Sequence, residues 1–253
     1  MRTVKFSDKE LNTMTVSEIV SRNVKTAEIF TSNGIDFCCG GNISFKEVCK
    51  KKDLEFNQLK TRILHIDTVI DETHDYDSWG LDTLVDFTVN THHKYVIDAN
   101  SLINKYADKV SKVYGKHYDV EVTEINKLFK ILSLSLEAHM KKEEHILFPY
   151  IKKLARNALE GKTIQPPAFG TITNPIRMLE SEHNGVGDVI MRIEQLSYNF
   201  QPPKGVCNTF RAWYEKLAEY QSNLFQHTHL ENNILFPKAI LLEEEIIMKY
   251  ERT

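Results

Sequence analysis

The chain has 253 residues, 42% hydrophobic and 26% charged, with 10 glycines and 7 prolines; this is the balance of a globular protein of one or two domains and excludes a collagen-like or disordered chain. Its 32 basic and 35 acidic residues leave a net charge of -3, which points to neither nucleic acid nor an anionic membrane. No apolar run nears the ~20 residues that span a bilayer, and the opening MRTVKFSDKELNTM lacks the apolar segment of a secretory signal, so the expected location is cytoplasmic.

Residues 15–33 read as a helix that starts at Thr15 and Glu18, spaced as a capping box, and stops at Gly34, the residue type favoured just past a helix end. Ser44 and Glu47 repeat the box spacing, so GIDFCCGG (34–41) is a loop between two helices. LEFNQLKTRILHI follows with apolar periodicity. Residues 1–70 therefore read as a small helical domain and 71–80, DETHDYDSWG, as an acidic linker. Four long helix-period segments come next, near 82–112, 123–157, 175–199 and 208–249. They are separated by Gly115, by GKTIQPPAFG and by QPPKG, and Asn174 before Pro175 has the form of a cap and first turn. Connections this short make consecutive helices antiparallel, so the expected fold is all-α: an up-down-up-down four-helix bundle over 81–253 behind a small helical domain.

The second and fourth segments repeat one another. HMKKEEHILFP (139–149) and HTHLENNILFP (227–237) match at an offset of 88 residues, and THHKYVID in the first segment matches SEHNGVGD in the third at an offset of 90 when His93 is set on His183. Setting His92 there instead loses the Val96/Val186 and Asp98/Asp188 matches. Residues four apart on a helix differ by about 40° in direction and about 6 Å in height. His139 and Glu143 therefore point one way, as do His227 and Glu231. With His93 and His183 from the other two helices, four imidazoles and two carboxylates converge on the bundle interior, where buried carboxylates call for cations. Nitrogen and oxygen donors without thiolate suit iron or manganese, with Glu143 and Glu231 as bridges between two ions; zinc, which favours closed four-ligand sites, fits less well. A single His-x-x-x-Glu is usually a surface pair, and the duplication is what argues for metal.

Among the other histidines, His229 lies about 200° around the helix from His227 and cannot share its face, while His92 and His117 stand in reserve as ligands or proton donors. Glu137, Glu144 and Glu182 read as charged groups around the site. Pro149 and Pro237 are expected to kink or end their helices just past it, and Cys49 and Cys207 to be buried.

With these residues in view, the chain resembles the repair-of-iron-centres family, through GIDFCCGG as an ScdA-type N-terminal domain and HMKKEEHILFP, EHNGVG and HTHLENNILFP as a haemerythrin-like bundle. The resemblance covers almost the whole chain. It implies two non-haem iron ions in an oxo- and carboxylate-bridged centre held by His93, His139, Glu143, His183, His227 and Glu231, and a cytoplasmic protein of the stress response that restores iron-sulfur clusters damaged by nitric oxide or oxygen species. Relatives often carry histidine where this chain has Tyr114. Damaged iron-sulfur proteins would be the partners, by donation of iron rather than by conventional turnover; a nitric oxide or oxygen carrier or sensor, and a di-iron nitric oxide or peroxide reductase, are the competing readings. A homodimer stays open. Adjacent Cα atoms are about 3.8 Å apart, too close for a comfortable disulfide. Cys38 and Cys39 therefore suit transient chemistry, as an iron relay, in disulfide exchange or as an oxidation sensor, with Gly40 and Gly41 letting the backbone turn.

Overall fold

The structure, a computed structural model, describes residues 6–23, 26–37, 40–66, 76–114, 119–162, 164–165 and 167–251. Cys38, Cys39, His74, Gly115, His117 and residues 71–75 of the 71–80 linker lie outside the described residues.

The N-terminal part holds α1 (Val16–Arg22), α2 (Thr26–Ser32), α3 (Phe45–Lys51) and α4 (Phe56–Leu64). The capping box at Thr15 and Glu18 forms in both directions. The single helix expected over 15–33 is instead two: Asn23 is extended at φ -153 and ψ 100, and its carbonyl accepts the Thr26 hydroxyl at 2.6 Å. Such short polar side chains give the backbone bonding alternatives that compete with the helical ladder. Gly34 has φ +62 and ends α2 as expected. Gly41 does more than turn the chain. A Cβ there would stand 2.3 Å from the Phe37 carbonyl oxygen, and the Ser17 amide donates to Gly41 O at 2.9 Å, so only glycine lets the loop lie against α1.

The bundle is built of four rods. The first runs through α5 (Leu81–Phe87), a π-turn over Thr88–His93 and α6 (Lys94–Tyr114). The second joins α7 (Asp119–Lys142), a π-turn over Glu143–Leu147 and α8 (Phe148–Glu160). The third is α9 (Thr173–Leu196) alone, and the fourth joins α10 (Asn208–Leu230), a π-turn over Glu231–Leu235 and α11 (Phe236–Glu251). Helix α6 packs on α7 and α10, and α9 on α7 and α10, closing the four-membered ring. No helix among the described residues is long and apolar enough to cross a membrane.

Three expectations about helix ends change. Pro149 and Pro237 do not end their helices: each follows a π-turn, and the widened ring carries the chain past a residue that lacks an N–H and crowds the carbonyl four back. Asn174 is not the cap of α9, which starts one residue earlier; its side chain donates to Phe169 O at 2.8 Å and closes the loop. The third rod stops at Leu196 rather than 199, because Tyr198, Asn199 and Phe200 take left-handed φ values of 52, 58 and 57. The Ser197 hydroxyl, accepting the Phe200 amide at 3.1 Å, holds that turn.

Two apolar cores bracket one level of the bundle. Below it lie Val96, Ile103, Phe129, Leu136, Met140, Val186, Ile190, Trp213, Leu217 and Leu224; above it lie Leu84, Val85, Leu147, Phe148, Ile176, Leu179, Leu230 and Phe236. In every rod the break between cores falls on the polar residues singled out from the repeat. Trp213, fully buried against Phe210 and Tyr214, anchors the lower core. Trp213→Ala is expected to lower unfolding free energy by about 3–5 kcal/mol in denaturant titration, while metal content stays unchanged because the site lies about 20 Å further along the helix.

Candidate metal centre

At the level between the cores, His93 closes the first π-turn, His139 lies in the last turn of α7, Glu143 opens the second π-turn, His183 sits mid-α9, His227 lies in the last turn of α10 and Glu231 opens the third π-turn. Both glutamates are 0% exposed and the four histidines 1–2%. Their donor atoms form two groups, His93–Glu143–His227–Glu231 and His139–Glu143–His183–Glu231, with the atoms of each group within 4.8 Å of one another. Both carboxylates belong to both groups. His139 Nε2 is 3.3 Å from Glu143 Oε1, His227 Nε2 is 3.0 Å from Glu231 Oε1, and across the bundle His93 Nε2 is 3.4 Å from Glu143 Oε2 and His183 Nε2 is 3.3 Å from Glu231 Oε2.

The residues fit a pair of cations. His139 Nδ1 faces Glu182 Oε2 at 2.9 Å and His183 Nδ1 faces Asn232 Oδ1 at 2.8 Å, so each ring carries its proton on the outward nitrogen and donates it. Their Nε2 atoms lie 2.9 Å apart, close enough to serve one cation together. All four oxygens of Glu143 and Glu231 and Nε2 of His93 and His227 are buried without a hydrogen-bond partner among the described residues. Orphaned polar atoms of this kind are costly in a protein interior unless a cation takes them up.

Charge in the site is strongly biased. Burial acts to raise both carboxyl groups, yet the surrounding imidazoles outweigh it and hold Glu143 below, and Glu231 well below, the ordinary carboxylate range. The reverse holds for two rings: burial opposes protonation of His93 and His139, but Glu143 and Glu231 push them up to about 10 and about 9. Burial keeps His227 low. The site is a concentration of negative charge that draws protons or metal to the same nitrogens.

Around the centre, His93 Nδ1 donates to Glu144 Oε1 at 2.7 Å, and Glu182 is itself anchored by Lys142. Glu137 instead accepts from Asn100 Nδ2 at 3.1 Å, and Asn100 Oδ1 accepts the Tyr220 hydroxyl at 2.9 Å, in the core below. His92 is outside both donor groups: it lies parallel to His227, ring centres 5.4 Å apart at 3°, and burial and His227 push it down to about 3. Tyr114 is about 30 Å along the rod from His93, accepting the Cys207 amide at 2.8 Å, so that position does not reach the centre. Cys207 is exposed rather than buried; it stands at the N-cap position of α10 without a side-chain capping bond, and the nearby Phe210 amide and Tyr114 hydroxyl lower its thiol. Cys49 is buried as expected.

Two roles were missed by sequence reasoning. Asn232, partner of His183, is signalled by the 88-residue offset that sets it on Glu144. His229, expected only to face away from His227, is buried against the N-terminal part: Nε2 is 3.2 Å from Ser21 Oγ, Nδ1 is 3.3 Å from Phe37 O, and the ring meets Phe37 edge-on at 5.6 Å. Phe37 immediately precedes Cys38, so one helical turn carries metal donors on one side and the approach to the thiol pair on the other.

Residues 85–239 match the family description "Hemerythrin HHE cation binding domain", and residues 12–67 match ScdA_N, a domain of unknown function (DUF542). The chain is 31% identical over 216 residues to the "Iron-sulfur cluster repair protein YtfE" of Yersinia pestis (strain Pestoides F), covering 85% of this chain and 91% of that one. The same protein of Yersinia pseudotuberculosis serotype O:1b (strain IP 31758) matches at the same identity and coverage. Joined in that order, the two domains and the duplicated imidazole–carboxylate level place the chain in the repair-of-iron-centres family of haemerythrin-domain proteins.

Proposed function

We propose that this chain is a non-haem di-iron protein that repairs damaged iron-sulfur clusters by handing over iron. The observation that carries the reading is the sharing of Glu143 and Glu231 by both donor groups, which would suit two ions held side by side with these carboxylates between them. His93 and His227 would hold one iron, His139 and His183 the other. Relatives named for iron-sulfur cluster repair support the biological role.

The chemistry of transfer follows from the donors. Imidazole and carboxylate hold iron less tightly than thiolate does, so a cluster whose own cysteines lie open is the better ligand set and pulls the cargo across. As iron leaves, His93 and His139 take up protons, and the charge of Glu143 and Glu231 is balanced again. No electron need move in the exchange itself. Cys38 and Cys39 are proposed as the relay between the centre and the client. The working division is a thiol-bearing domain over 1–70, a linker over 71–80 and the metal bundle over 81–253. The far end of that linker is tied down, since Lys238 Nζ donates to Asp77 O at 2.6 Å and Trp79 O at 3.0 Å.

The test is a reactivation assay on an enzyme whose cluster has been damaged by nitric oxide. Iron-loaded protein is expected to restore activity stoichiometrically. The Cys38→Ala, Cys39→Ala variant is expected to keep its iron but to repair at least about tenfold more slowly, the scale of losing an activated thiol. Full repair by the variant removes the thiols from the mechanism, and sustained multiple turnover without iron loss would favour an oxidoreductase.

A further inference from the structure

The bundle's internal repeat extends beyond the donor atoms, and it is there that the two halves differ. Glu144 follows Glu143 and holds His93; its counterpart 88 residues on, Asn232, follows Glu231 and holds His183. Glu182 precedes His183 and holds His139; its counterpart 90 residues back, His92, precedes His93 and lies flat beside His227 without bonding it. Lys142, which anchors Glu182, has Leu230 as its counterpart. Hence the rings from the first two rods, His93 and His139, are each backed by a carboxylate. Those from the last two rods are backed by a neutral amide (His183) or only by the stacked His92 ring (His227), and His227 Nδ1 has no hydrogen-bond partner among the described residues.

A carboxylate on the outward N–H makes an imidazole a stronger electron donor and fixes its orientation, whereas an amide does so less. Each donor group contains one ring of each kind. We infer that His183 and His227 are the arms that let go first when iron leaves, and that Asn232, a residue with no metal-facing role, sets how readily this centre releases its cargo. The weaker arms are on α9 and α10, the helices against which the N-terminal part lies. Phe37 meets Phe225 at 6.1 Å, and Gly34 and Phe37 share a cavity of about 140 Å³ with Asn184, Gly187 and Phe225. Release through these arms therefore begins on the side facing the segment that leads to Cys38 and Cys39.

The inference rests on the di-iron reading, and one experiment separates the two. The full chain and its Asn232→Asp, Asn232→Ala and Glu144→Gln variants are loaded anaerobically with ferrous iron, and loss to an excess of a coloured ferrous chelator is timed. Asn232→Asp keeps the side chain's shape while supplying the missing carboxylate, so iron loss is expected to slow roughly tenfold; Asn232→Ala and Glu144→Gln are expected to speed it by a similar factor. Opposite signs from two substitutions at one position are not the mark of general loosening. The inference is overturned if Asn232→Asp releases iron as fast as the parent chain or faster, or if Aspartate and alanine at 232 act in the same direction. Should Asn232→Asp fail to fold by circular dichroism, Glu144→Gln decides alone, and an unchanged rate there overturns the idea. A parent chain that takes up no pair of irons fails at the earlier step and overturns the di-iron reading itself.

Discussion

Glu231→Ala is expected to strip the protein of both ions, taking metal content from about two per chain to near zero, where His183→Ala is expected to leave about one. The difference comes from connectivity. Glu231 sits in both donor groups, with contacts of 3.0 Å to His227 and 3.3 Å to His183, whereas His183 sits in one. Losing a shared carboxylate also leaves His93 without one of the two charges that sustain its proton, so the site loses both its bridge and its bias. The fold should survive, because the apolar cores above and below bind the rods independently of this level. Metal analysis beside circular dichroism checks both parts. Retention of a full pair by Glu231→Ala would mean that the ions sit elsewhere.

The second large effect is on pH. In the metal-free protein His93 and His139, at about 10 and about 9, are protonated at neutral pH, and both must be neutral to bind metal. Loading two ions at pH 7 should therefore expel about two protons, and the joint affinity should fall about a hundredfold for each unit of acidification between pH 8 and pH 6. Chelator competition across that range, with proton release followed in weak buffer, measures both quantities. A pH-independent affinity would show that the rings are neutral before metal arrives. The sign for the metal-free fold is opposite to the sign for metal. Rings whose folded values are raised contribute stability that is fully present below their unfolded value near 6.5 and is lost as pH rises through about 9 and about 10. The metal-free protein is thus expected to weaken in alkali, under the conditions in which it binds metal best.

Much of the centre was legible in the sequence because its strongest signals lie within single helices. The i, i+4 spacing of His139 with Glu143 and of His227 with Glu231 places each pair on one face whatever the rest of the molecule does, and the repetition of the pair is what argued for a duplicated site. The choice of His93 over His92 came from register in the repeat, and the structure puts His93 among the donors and His92 behind His227. The break at Asn23 and the left-handed turn at Tyr198–Phe200 escaped, because in both places a side-chain hydrogen bond of 2.6–3.1 Å decides between nearly equal backbone paths. The exposure of Cys207 escaped too, since a cap position and a core position look alike in a list of residues.

By itself, then, the sequence determined four amphipathic rods, their alternating direction and the residues each would turn to a common level, since all of these follow from a period of 3.6 residues and from connection length. Only the tertiary structure decided the rotation and register of the rods against one another. Those came from the fit of two apolar cores assembled from distant segments, and they alone bring Glu144 to His93, Glu182 to His139, Asn232 to His183 and His229 to Phe37. These contacts join residues 43 to 192 positions apart, and no local pattern carries information over that distance; what does is the shape of the side chains that fill the space between.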